Sequence, residues 1–191
     1  MTSLALPAGD LFSVITTAGR DSRSASWKSL LNWPRFGDDH VDYEAGTPAQ
    51  RNRWAVRMDE AVMRADKPVL LIASGETCHA AAWWARLSPT PYVSRVAGAL
   101  LFAPSKAAND TDDRFASPRI VLPFPSAIVG TESRPLDQRV LALAEGWGSR
   151  FVEQGRDSEE SAWQQAQNLV LKLTARVVER DMRIANCFPV D

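Results

Sequence analysis

The sequence predicts an α/β fold, a three-layer sandwich with a mostly parallel central sheet flanked by helices. Two observations carry this expectation. Short, apolar, β-rich runs alternate with longer amphipathic stretches along the 191 residues, which is the pattern of βα units. The central runs are also almost continuously hydrophobic, as strands covered on both faces must be.

The expected strands are Leu11 to Thr17, Pro68 to Ala73 (PVLLIA), Val96 to Ala103 (VAGALLFA), Ser126 to Thr131 (SAIVGT) and Arg150 to Glu153, with a short one near Val41 to Tyr43. The first long helix should open at Thr47. There Thr-Pro-Ala-Gln supplies an N-cap hydroxyl, a proline at the first helical position and a Gln able to close a capping box. Trp54, Met58 and Val62 then recur at helical spacing. A second helix, from Pro135 to about Gly146, carries Leu136, Val140, Leu143 and Trp147 as one stripe and should be ended by the glycines at 146 and 148. A last helix should begin near Ser158, with Glu159 and Glu160 in its first turn, and bury Trp163, Ala166, Val170, Leu173 and Val177. The segment between Pro104 and Pro125 is polar, then punctuated by proline, and reads as a long connection. No repeat, low-complexity tract or linker divides the chain, so a single domain spanning residues 1–191 is expected.

Composition narrows the function classes. Apolar residues make up 45% and charged residues 24%, and no apolar run approaches the roughly 20 residues of a membrane span. The 22 basic and 23 acidic side chains are mixed along the chain, for a net charge of −1, which argues against a nucleic-acid or anionic-membrane partner. Residues Met1 to Asp10 carry no export signal pattern, so the expected compartment is the cytoplasm. Cys78 and Cys187 stand far apart, without a CxxC or Cys/His cluster, and suggest neither a disulfide framework nor a zinc site. No metal and no cofactor is expected.

In open α/β sheets ligands bind outside the carboxyl ends of the strands, which directs attention to the turn after PVLLIA. It reads Ala73-Ser74-Gly75-Glu76-Thr77-Cys78-His79-Ala80-Ala81. A strand, a tight turn of small residues and an alanine-rich helix form the architecture of a nucleophile elbow, yet the G-x-S-x-G signature is absent.

Several stretches, taken in order, resemble the retinoblastoma-binding protein 9 / YdeN family of small α/β-hydrolase-fold serine hydrolases. They are Gly19-Arg20-Asp21-Ser22 with Ser26-Trp27; Trp54 and Met58 ahead of Lys67 to Ala73; Val96 to Pro104; Leu122-Pro123-Phe124-Pro125-Ser126; and Ala142 to Gly148. The resemblance covers roughly residues 11–180 and implies an α/β-hydrolase-like sandwich. Carried over position by position, it puts the elbow serine at Gly75, the acid at Arg134 (in Thr131-Glu132-Ser133-Arg134-Pro135) and the base at Arg156 after Gly155. All three triad positions are then substituted. Gly19, Arg20, Ser74, Glu76 and Thr77 are the candidates for the pocket and oxyanion region.

One check needs no alignment. In the α/β-hydrolase order the histidine follows nucleophile and acid, but the only histidines are His40 and His79. Without an imidazole to take its proton, a serine is a weak nucleophile at neutral pH. The expectation is therefore a hydrolase-family protein without serine-hydrolase activity, acting as a non-catalytic binding or regulatory protein on a small anionic ligand or a protein partner. The alternative is a weakly active esterase-type serine hydrolase using non-standard residues.

Other chemistry is weaker. Ser74 reads as a polar turn residue rather than a displaced nucleophile. Cys78 and His79, adjacent on a helix, project about 100° apart and do not face each other. His40, beside Asp38 and Asp39, reads as part of a solvated loop rather than a metal site. The tryptophans at 27, 54, 83, 84, 147 and 163 read as core and pocket walls. Gly75 favours a retained elbow backbone, because glycine tolerates a positive φ without a Cβ penalty. Arg134 and Arg156, beside Glu76 and Asp157, would form either a salt-bridged patch or an anion pocket of paired guanidinium forks.

Overall fold

A computed structural model describes residues 12–19, 37–44, 46–104, 115, 121–130 and 138–152. Its elements, in chain order, are β1 (Ser13–Ala18), β2 (Asp39–Asp42), α1 (Pro48–Arg64), β3 (Val69–Ser74), α2 (Thr77–Leu87), the single turn α3 (Thr90–Val93), β4 (Val96–Phe102), β5 (Ser126–Val129), α4 (Gln138–Trp147) and β6 (Arg150–Val152). The six strands form one sheet in the order β2-β1-β3-β4-β5-β6, and every pairing is parallel. Each strand falls where the apolar runs place it, to within about two residues, the usual uncertainty of an element end.

Both faces of the sheet are buried. Val69, Leu71 and Ala73 of β3 join a core with Trp54, Met58 and Val62 of α1, Trp84 of α2 and Trp147 of α4. Leu70 and Ile72, which alternate onto the opposite face, are each 1% exposed. This is why PVLLIA reads as a continuous hydrophobic run rather than an alternating one.

Helix α1 begins as its sequence dictates. Thr47 Oγ1 accepts from the Gln50 backbone N–H at 3.2 Å, and Gln50 Oε1 accepts from the Thr47 N–H at 2.9 Å, closing the capping box around Pro48. At its far end Arg95 donates through Nε to the Val62 carbonyl at 3.1 Å and through Nη2 to the Ala65 carbonyl. A cation thus meets orphan carbonyls at the helix C-terminus. Trp84 Nε1–H of α2 donates to Asp59 Oδ1 of α1 at 2.8 Å, and Ser88 Oγ donates to the same oxygen at 3.0 Å.

Two expectations need correction. Gly146 does not end α4 but lies inside it; the helix stops at Trp147, and Gly148, at φ +62°, makes the left-handed C-terminal turn. Asp39 and His40 are not loop residues: they pair with Ile15 and Thr16 in the edge strand β2. A charged edge strand lacks apolar periodicity, and its charges discourage further pairing. In the connection after Pro104, Phe115 is 1% exposed, with ring centroids 6.1 Å from Tyr43 and 6.2 Å from Trp83, so part of that segment belongs to the core. The start of the helix expected from Pro135, the helix expected from Ser158, Trp27, Trp163 and Cys187 lie outside the described residues.

Candidate functional site

Because all six strands are parallel, their carboxyl ends share one edge of the sheet. The chain order reverses at β1, which has β2 on one side and β3 on the other. The crevice between the ends of β1 and β3 is therefore the topological switch point, where open α/β sheets place ligands. Gly19 follows β1 there, and Ser74-Gly75-Glu76 follows β3.

Gly75 sits in the sharp turn between β3 and α2 with φ +65°, as expected for an elbow. A Cβ at this position would meet no atom of the described residues within 4 Å, so among them backbone conformation, and not crowding, is what glycine accommodates. The Gly75 N–H donates to the Phe102 carbonyl at 3.0 Å, which fastens the turn to the end of β4.

Thr77 fastens it on the other side. The hydroxyl accepts from the Ser74 N–H at 3.0 Å, and its one proton is shared between the Thr17 carbonyl at 2.9 Å and the Ser74 carbonyl at 2.8 Å. Thr17 is itself a junction. Its hydroxyl donates to the Val41 carbonyl at 2.9 Å and accepts from Trp54 Nε1–H at 3.2 Å. Buried polar atoms of β1, β2, α1 and the elbow are thereby satisfied in one network. Thr77 is fully buried, and its side chain holds the turn.

Glu76 is the exposed N-cap residue of α2 and makes no side-chain capping bond. Its carboxylate instead leans over the switch point, with Oε1 3.8 Å from where a Cβ on Gly19 would stand. Ser74, half-buried, is the last residue of β3 and lies ahead of the turn. Arg20, Arg134 and Arg156, as well as Asp157, lie outside the described residues.

Cys78 and His79 go separate ways, as adjacent helical positions must. The Cys78 thiol is fully buried and donates to the Phe102 carbonyl at 3.6 Å, and burial pushes its pKa far above the usual thiol range. The His79 ring meets Trp147 edge-on at 5.4 Å and is 4% exposed. His40, on the sheet edge, has Nδ1 2.6 Å from Thr16 Oγ1 and Nε2 3.3 Å from Asp42 Oδ1. Among the described residues no group of three metal-ligating side chains comes together.

One feature was not legible beforehand. Ala103, just past β4 on the same edge of the sheet, has φ +41°, a conformation uncommon for a residue with a Cβ. Its N–H donates to the Val129 carbonyl at 2.9 Å. Neither glycine nor asparagine marks the place, so nothing in the local sequence announces it.

Solved structures with a similar fold include a protein of Pectobacterium atrosepticum described as a YdeN-like hydrolase, at 18% identity and TM-score 0.64, covering 88% of this chain and 94% of that one. A protein of Xanthomonas campestris pv. campestris described as a hydrolase of the alpha/beta superfamily aligns at 14% identity and TM-score 0.47, covering 85% and 98%. The first of these likenesses establishes the fold as that of an α/β hydrolase. No curated protein matches the chain. No helix among the described residues is long and apolar enough to cross a membrane. The serine hydrolase family model matches residues 14–169, from the second residue of β1 to beyond β6, and the chain belongs to that family.

Proposed function

We propose that this member of the serine hydrolase family has lost serine-hydrolase turnover and acts as a non-catalytic binding or regulatory protein. The observation that carries the reading is Gly75, in the elbow turn at φ +65°, where the attacking oxygen would have to stand. Acyl transfer begins with a nucleophile presented at the switch point, and glycine brings none.

The rest of the chemistry supports the same reading. A base must take the nucleophile's proton, and in this fold it follows the acid in the chain. His79 precedes β4 and β5 and packs against Trp147; His40 lies on the far edge strand. Arg134 and Arg156, at the acid and base positions carried over from the resemblance, are permanent cations that accept no proton. What remains is a crevice bordered by Gly19 and Gly75, fit to receive a small anionic ligand or a partner side chain. At the positions that the resemblance implies, Arg134 and Arg156 would favour an anion, whereas the Glu76 carboxylate beside Gly19 opposes one.

The test is direct. Incubation with a fluorophosphonate probe and with short-chain p-nitrophenyl esters should give no saturable signal above a heat-denatured control. Stoichiometric labelling, at Ser74 or elsewhere, would overturn the reading and restore a weakly active esterase.

A further inference from the structure

Away from the elbow, the outer face of α1 borders an open groove of about 530 Å³ beyond the carboxyl end of β2. Arg53, Val56 and Arg57 line it from the helix, with Asn52 and Gln50 nearer the helix start and Glu44 from the segment after β2. Positions 53, 56 and 57 are related by i, i+3 and i+4, so they share one helical face.

We infer that this groove binds a small organic anion, a phosphate monoester or a carboxylate, with its charge on Arg53 and Arg57 and its apolar body on Val56. The volume lies within the range of small-molecule sites. Arg57 donates through Nη2 to the Asp42 carbonyl at 3.2 Å, a neutral acceptor, and among the described residues no carboxylate pairs with it. Among the described residues Arg53 has no carboxylate partner. Two other charges of α1 are engaged elsewhere: Arg64 pairs with Asp39 at 2.6 Å, and Asp59 accepts from Trp84 and Ser88.

The helix adds to the field. Its first turn contains no acidic residue, although the positive end of the backbone dipole favours one there. Arg51 stands in that first turn, where a cation is disfavoured, and Arg53 follows in the next, so the start of the helix carries positive charge that favours an anion. Among the described lining residues Glu44 opposes them, one carboxylate against two guanidinium groups. Val56, at 55% exposure, adds an apolar surface on the same helical face as the two arginines. An inorganic anion would use the arginines alone; an organic one uses Val56 as well. The inference does not rest on the reading of the elbow.

Calorimetric titration of the full chain at low salt decides it, with phenyl phosphate, benzoate and inorganic phosphate as probes. Phenyl phosphate or benzoate should bind saturably and more tightly than inorganic phosphate. The arm that binds more tightly identifies phosphate or carboxylate as the preferred head group. Arg53→Ala with Arg57→Ala should weaken binding by roughly tenfold or more, as loss of charge-assisted bonds does. Arg134→Ala with Arg156→Ala should leave unchanged the binding component that the Arg53 and Arg57 substitutions remove, which separates this groove from any anion bound at the elbow. Raising the salt to about 0.15 M, where the Debye length is about 8 Å, should weaken the complex. Should the double variant unfold, Arg53→Ala alone serves, since that side chain is exposed. No saturable binding of either organic probe, or equal binding by wild type and the Arg53 variant, would overturn the inference.

Discussion

The Thr77 hydroxyl, at the first helical position after the elbow, stands 2.9 Å from the carbonyl oxygen of Thr17 in the neighbouring strand β1. One side chain thus ties the two borders of the switch point together while also satisfying the Ser74 N–H. Thr77→Val keeps the shape and removes the hydroxyl, leaving a buried donor and a buried acceptor without this partner. We expect a loss of about 2 kcal/mol, within the range for orphaned buried polar groups. Urea denaturation checks it, with Thr77→Ser expected to recover most of the loss.

Gly75 should tolerate a side chain at modest cost. Among the described residues the space is open, so Gly75→Ala and Gly75→Ser should meet chiefly the penalty of a positive φ, about 1–2 kcal/mol. For a chain of this size that lowers the melting temperature by about 2–8 °C. On the proposed function, Gly75→Ser should gain no fluorophosphonate labelling above wild type, because the hydroxyl still has no base. A melting temperature unchanged or raised in Gly75→Ala would contradict the strained elbow.

Gly148 is under two constraints where Gly75 is under one. Its φ is +62°, and a Cβ there would come within 2.8 Å of Val121 Cγ1. Val121 is 66% exposed and can turn aside, so the steric part is small but measurable. Gly148→Ala should cost about 1–3 kcal/mol, and Val121→Ala in the same chain should return part of it, a coupling that a double-mutant cycle resolves.

Cys78 should be inert in the native protein and should depress stability at alkaline pH. Its folded-state pKa is raised by burial, so above the ordinary thiol pKa of about 8.5 the unfolded chain binds fewer protons than the folded one. Stability is then unaffected below that pH and falls as pH rises above it, by up to about 1.4 kcal/mol per pH unit. Comparing the slope of unfolding free energy between pH 8.5 and 10 in wild type and Cys78→Ala isolates the thiol. Rapid reaction of native Cys78 with a disulfide reagent at pH 8 would show that the side chain is reachable.

The chain alone determined a large part of this protein. Hydrophobic continuity located β3, β4 and β5, because strands buried on both faces cannot hide their composition. Thr47, Pro48 and Gln50 located the start of α1 by local hydrogen-bonding rules that need no tertiary context. Gly75 announced a turn with positive φ, and the count and order of histidines bore on catalysis without any coordinates at all.

Tertiary structure decided what depends on neighbours distant in sequence. The Thr77 side chain is turned inward onto the Thr17 carbonyl, 60 residues away, a contact that no local pattern announces. His40 and Asp39 looked like solvated loop residues until pairing with β1 drew them into an edge strand. Gly146 looked like a helix end and stayed helical between Ala144 and Trp147, both buried in the core; at that position tertiary packing outweighs a propensity cost of about 1 kcal/mol. The lean of Glu76 over Gly19, and the strained φ of Ala103 among the strand ends, leave no local signature, because both are consequences of how parallel strands bring separate turns to one edge.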